Sequence, residues 1–144
     1  MQSAFIKRAQ HARECVTRLV DEKNLAAEYV RAVRGLPAEI RLVGLGQGLA
    51  VLLSRSDGKM DGYRRLHDDI ENWMFSGNPN KVYTITDGER RLLRAIITGD
   101  QQKYRLAVAE VDAYLAVLKR LAEVFLTPEE PPGEGARPQA VTGP

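Results

Sequence analysis

The sequence predicts an all-α domain, a compact bundle of five or six helices with a long N-terminal helix and a disordered C-terminal tail. Three observations carry this. Apolar residues recur with a 3.6-residue period in every strongly periodic segment. Only Pro37 and Pro79 precede Thr127, and proline is what most often breaks a helix interior. A single stretch, KVYTIT at 81–86, has β-like composition, and one strand cannot build a sheet, so it is read as extended chain.

The elements follow in order. From Ser3 to Arg34, the residues Phe5, Ala9, Ala12, Val16, Leu19, Ala26, Val30 and Val33 step by threes and fours, except at Lys23. They make one stripe of one long helix, ended by Gly35. Pro37 can open a short helix to Val43. In the run GLGQGLAVLL, 44–53, Leu45, Leu49, Leu52 and Leu53 share a face, and the glycines let another backbone come close. Asp57-Gly58 is a turn signal. A helix from Lys59 to Phe75 turns Tyr63, Leu66, Ile70 and Trp73 inward, and SGNPN at 76–80 is a loop. Thr86-Asp87-Gly88-Glu89 has the form of a capping box. The helix after it, to Thr98, buries Leu92, Leu93, Ile96 and Ile97. Asp100 can cap the last helix, whose stripe is Tyr104, Val108, Val111, Leu115, Leu118, Ala122 and Phe125. That stripe suits a core helix better than an intermolecular coiled-coil seam.

Residues 1–126 form the helical domain and 127–144 the tail. Five of the seven prolines lie in the tail, which apart from Val141 has nothing large to bury. Such a segment cannot offset its ordering entropy. The 144 residues suit one domain, and 44% hydrophobic with 28% charged residues is a soluble, globular composition. No apolar stretch approaches the ~18–20 residues of a membrane span. Met1 to Gln10 lack a signal-peptide core, so a cytoplasmic location is expected. The lone Cys15 excludes an internal disulfide and a cysteine-based zinc module. Before Thr127, 20 basic side chains face 16 acidic ones, giving +4; the tail has one against three, giving −2. A body at +4 allows a local basic patch and no more.

Candidate chemistry is thin. Gly44-x-Gly46 begins a dinucleotide fingerprint, but Leu49 stands where its third glycine belongs, and there is no GK[ST] phosphate loop. The glycines read better as a close helix contact. His11 and Cys15, four apart, make half a metal site that nothing completes, so they read as a partly buried thiol beside a surface imidazole. His67, Asp68, Asp69 and Glu71 cluster near Trp73, where a nuclease could use His67 as general base, or paired carboxylates to hold Mg²⁺. A solvated helix face has the same composition. No serine sits in a nucleophile-elbow context. No cofactor and no metal is expected. The pairs Arg64-Arg65, Arg90-Arg91 and Lys119-Arg120 stand out among the basic residues, as phosphate ligands or as ordinary surface. The residues alone favour a binding or scaffold module.

Three stretches together resemble a known family. They are His11-Ala12-x-Glu14-Cys15-Val16; then Leu36-Pro37-x-x-Ile40-Arg41-x-x-Gly44-Leu45-Gly46-Gln47-x-Leu49-Ala50 with Leu52-Leu53; and Leu115-x-x-Leu118-Lys119-Arg120-Leu121-Ala122. Over roughly 5–125 the chain is similar to the small-subunit family of the Cmr complex, the type III-B CRISPR RNA-guided effector of antiviral defence. The middle motif is long and fairly specific. The chain departs from the family at Gly48, usually Thr or Ala, at Val51, usually aromatic, and at Val117, often tryptophan. The tail lies outside the family pattern.

The resemblance implies an all-α subunit without catalytic activity. Further copies of itself stack into a minor filament beside the other Cmr subunits, where guide RNA and target RNA pair. Arg8, Arg13, Arg41, Lys119 and Arg120 lie in or beside the matching motifs and are the RNA-binding candidates. Alternatives are the small subunit of a type III-A complex, and a small helical ribonuclease or toxin using His67.

Overall fold

The computed structural model describes residues 3–56, 60–84 and 87–127. Among them there are six α-helices and no strand: α1 (Ala4–Thr17), α2 (Lys23–Val43), α3 (Leu45–Ser56), α4 (Gly62–Asn72), α5 (Arg91–Thr98) and α6 (Gln101–Leu126), with a π-helical turn at Trp73–Gly77 between α4 and α5. The Asp57-Gly58 turn, Thr86 of the expected capping box, and the tail from 128 to 144 lie outside the described residues.

The α6 helix is the spine. Arg8 meets Glu110 and His11 meets Tyr114, so α1 runs parallel to it. Arg34 meets Glu123 while Leu45 meets Tyr104, so α2 runs antiparallel. The single long helix expected from Ser3 to Arg34 is therefore a helical hairpin. Its bend lies at residues 18–22, just before the Lys23 gap in the stripe, with Leu19 and Glu22 N–H donating to the Val16 and Leu19 carbonyls. Burial explains it. Leu19 is fully buried within the bend, and on either side Ala12, Val16, Ala26, Val30 and Val33 all reach the core. A straight helix could offer that stripe to only one side of α6.

Gly35 and Pro37 do not end α2, which continues to Val43. The missing proline N–H and its ring clash cost helix stability locally. The helix nevertheless buries Tyr29, Ala32, Val33 and Leu36 against α3, α4 and α6, and that packing overrides the local signal. Gly44 is the true stop. Its φ of 94° is left-handed territory, and a Cβ there would sit 3.2 Å from the Tyr104 hydroxyl. That hydroxyl accepts from Leu45 N–H at 3.0 Å. Gly48 packs a Cβ's width from Ile40, and Leu45, Leu49 and Leu52 are buried. The glycine-rich run is a close helix–helix contact.

The α4 helix starts on Asp61, whose Oδ1 accepts from Arg64 N–H at 3.0 Å, and Leu66, Ile70 and Trp73 point inward as expected. The π-helical turn extends it to Gly77. Its widened turn lets three successive large residues, Trp73, Met74 and Phe75, all be buried. The chain at 81–84 is neither helix nor strand.

The α5 helix begins four residues later than Asp87, the start that the capping box implied. Its first-turn donor, Leu92 N–H, is held by Glu71 Oε2 at 2.8 Å from α4. Arg94 turns back to the Glu89 and Asp87 carbonyls. Ile97 is exposed, against expectation, because this short helix buries only one side, Leu92 and Ala95. Phe5 and Phe125 are also exposed at their helix ends, and Leu126 takes the place expected of Phe125 in the core. Asp100 caps α6 through Lys103 N–H at 2.7 Å.

Candidate nucleic-acid interface

The antiparallel pairing of α2 with α6 leaves an open groove between them. It forms two adjoining hollows of about 460 and 360 Å³ that share Pro37, Arg41 and Asp112. Arg41, in the last turn of α2, lies on both. Lys119 and Arg120 line the second hollow, and Arg105 lines the first. Three of the five residues singled out by sequence thus meet in one groove, Arg41 coming from 78 or more positions before the other two.

Among the described residues, none of Arg41, Arg105, Lys119 or Arg120 makes an ion pair. Arg34 closes one end by pairing with Glu123 at 2.8 Å. That hydrogen bond holds the Glu123 carboxyl below the usual carboxylate range. The floor is apolar: Pro37, Ile40, Val108 and Leu115. Mobile cations over an apolar floor can meet phosphates without burying an unpaired charge. Sequence reading passed over Arg105. The signal was there, since Arg105, Asp112, Ala116, Lys119 and Glu123 recur by sevens, fours and threes as a second stripe on α6.

Arg8 and Arg13 are not part of the groove. Arg13 is exposed on α1. The Arg8 guanidinium grips Glu110 with two bonds, Nε to Oε2 at 2.8 Å and Nη2 to Oε1 at 3.0 Å. Glu110 Oε2 also accepts from Trp73 Nε1 at 2.9 Å. Burial would raise this carboxyl, but the bonds from Arg8 and Trp73 outweigh it and hold the group low.

Beside that pair lies a polar and aromatic cluster. The Trp73 and Tyr114 rings stack with centroids 5.2 Å apart, and His11 meets both edge-on. His11 Nδ1 is 2.6 Å from the Tyr114 hydroxyl, and Nε2 is 2.7 Å from Asn72 Oδ1. Cys15 Sγ lies 3.7 Å from both His11 Nδ1 and the Tyr114 oxygen. The expected pairing of a thiol with an imidazole is present, and more buried than expected. Burial pushes the Cys15 thiol up to about 12. Tyr29 donates to Asp69 Oδ2 at 2.6 Å, and burial raises the Asp69 carboxyl despite that bond. Among the described residues no His, Cys, Asp and Glu cluster could hold a metal ion.

The structure gives no support to the ribonuclease reading of His67. His67 is fully buried, so its imidazole cannot reach a substrate. Its Nδ1 lies 2.9 Å from Asp68 Oδ1. Each carboxylate that could have served it has a structural partner: Asp68 pairs with Arg64, Asp69 with Tyr29, and Glu71 with the first turn of α5. What resembled a solvated acidic face is partly a set of braces: Asp69 ties α4 to α2 and Glu71 ties it to α5, while Asp68 pairs within α4 itself. No helix among the described residues is long and apolar enough to cross a membrane.

The family model described as CRISPR-associated protein (Cas_Cmr5) matches residues 6–125, and no curated protein matches the chain. The match contains all three sequence stretches noted above and stops two residues before Thr127.

Proposed function

This chain belongs to the CRISPR-associated Cmr5 family, and on that premise we propose that it is the non-catalytic small subunit of a type III-B RNA-guided effector complex. In this reading its copies stack into a minor filament, and the groove between α2 and α6 holds phosphates of the paired guide and target RNA. One observation carries the RNA part: the convergence on one groove of Arg41, Lys119 and Arg120, with Arg105 beside them, none of which makes an ion pair among the described residues. A single copy offers few cations, so it binds weakly and without sequence preference. Repetition along a filament makes such contacts act together.

The test is a triple variant, Arg41→Glu, Lys119→Glu and Arg120→Glu, in the assembled complex. Target RNA should be retained less well, with the helical circular dichroism spectrum unchanged. Three lost phosphate contacts should make the plot of log affinity against log salt shallower by about 2–3 units. Equal affinity and equal slope would mean that the groove does not face RNA. The chain would then act only through protein contacts.

A further inference from the structure

We propose that residues 128–134 of this chain, PEEPPGE, dock back onto a second groove, between the start of α2 and the end of α6. This site lies outside the RNA groove and does not depend on that reading. The hollow, of about 440 Å³, has a floor of Val20, Ala27 and Val30 and a wall of Phe125, with Lys23 and Arg31 at its rim. Val20 and Phe125 are 47% and 45% exposed, so two large apolar side chains face an open trough.

The occupant is identified by where the chain goes. Thr127, the last described residue of α6's exit, itself lines the hollow. The described chain therefore ends at the hollow, with seventeen residues of sequence still to follow. They carry Glu129, Glu130 and Glu134 against Arg137 alone. The rim charges are complementary and open: Lys23 and Arg31 are exposed and make no ion pair among the described residues, while Arg34 is taken by Glu123. The lengths match too. An extended proline-rich segment advances ~3.1 Å per residue, so 128–132 cover about 16 Å. The α2 stretch from Lys23 to Arg34 rises by about the same amount at ~1.5 Å per residue.

Proline chemistry suits the trough. Pro128, Pro131 and Pro132 bring flat apolar rings to an aromatic wall, the way extended proline segments are recognised elsewhere. Their fixed φ lowers the entropy lost on docking. Tethering raises the local concentration to the millimolar range, so a contact too weak to hold a free peptide holds this one. Two glutamates placed two and three residues past Thr127 then lie over the Lys23 and Arg31 rim.

The experiment is NMR of the ¹⁵N-labelled full chain, with the free peptide 128–144 as reference. The amides of Glu129, Glu130 and Glu134 should be displaced from their peptide positions, at shifts independent of protein concentration. Lys23→Glu with Arg31→Glu should return them to the peptide positions, as should Glu129→Lys with Glu130→Lys. All four changes together should displace them again, because the charges are exchanged. Both rim residues are exposed, and an unchanged helical circular dichroism spectrum confirms folding. Peptide-like positions in the wild type would overturn the proposal, and so would displaced positions indifferent to either reversal. Displacement that grows with concentration would place the tail on a second copy, which also overturns it.

Discussion

The two long faces of α6 use the same residue type in opposite ways. Towards α1, Arg8 is four-fifths buried and doubly bonded to Glu110, which also holds the Trp73 indole. Towards α2, Arg41 is exposed and has no ion pair among the described residues. The first arginine is part of the architecture, because a buried charge without its partner is strongly destabilising. The second adds little to the fold, and it is available to bind. A cation's role here follows from what lies opposite it across a helix pair, which its own position in a motif does not reveal.

The comparison can be broken most forcefully at Trp73. Trp73→Ala removes a buried indole stacked on Tyr114 and takes the bond from Glu110, so it should cost about 3–5 kcal/mol of unfolding free energy. Urea denaturation measures this. A loss under 1 kcal/mol would mean that the α1 face is not the rigid one.

Glu110→Ala should come next, at about 2–3 kcal/mol, since it leaves the Arg8 guanidinium and the Trp73 N–H without their acceptor. Glu110→Gln sharpens the point through pH. The Glu110 carboxyl is held below its ordinary 4.5 in the folded chain. Its stabilisation is therefore fully present above the unfolded value and is lost as pH falls through 4.5 towards the lower folded value. The stability gap between wild type and Glu110→Gln should narrow from pH 6 to pH 3.

Asp69, on the same side of the core, should do the reverse. Burial raises its folded value above the ordinary 3.8. The native state then binds more protons than the unfolded state just above pH 3.8, and the wild type loses stability as pH rises through that window. Asp69→Asn keeps an acceptor for Tyr29 and should gain on the wild type between pH 3 and pH 7. A parallel pH dependence for the two variants would show that the carboxylates do not differ in this way.

The smallest effect belongs to the α2 face. Arg41→Ala, Lys119→Ala and Arg120→Ala should each change stability by no more than about 0.5 kcal/mol, as substitutions of surface residues without an ion-pair partner do. A loss of 2 kcal/mol at any of them would remove the contrast between the faces.

The helical fold was legible in the sequence because burying an apolar stripe needs only local periodicity. The stripes of α1, α4 and α6, the Asp100 cap and the close packing at Gly44 and Gly48 are properties of short windows. The family was legible for a related reason, since its motifs are contiguous runs. The candidate groove was half legible. Arg41, Lys119 and Arg120 could be picked from their motifs, yet nothing in the sequence separated them from Arg8, whose partner Glu110 lies 102 positions away.

Tertiary structure decided the rest, where a distant group outweighed a local signal. Pro37 does not end α2, because the helix packs on three others. The start of α5 is set by Glu71 reaching across from α4. The hairpin at 18–22 exists because one stripe had to meet both flanks of α6. His67 looked available on its own helix and is sealed by the neighbours packed around it. Periodicity states which residues will be buried. Which partner buries them, and which charges are left over, depends on contacts between residues far apart in the chain.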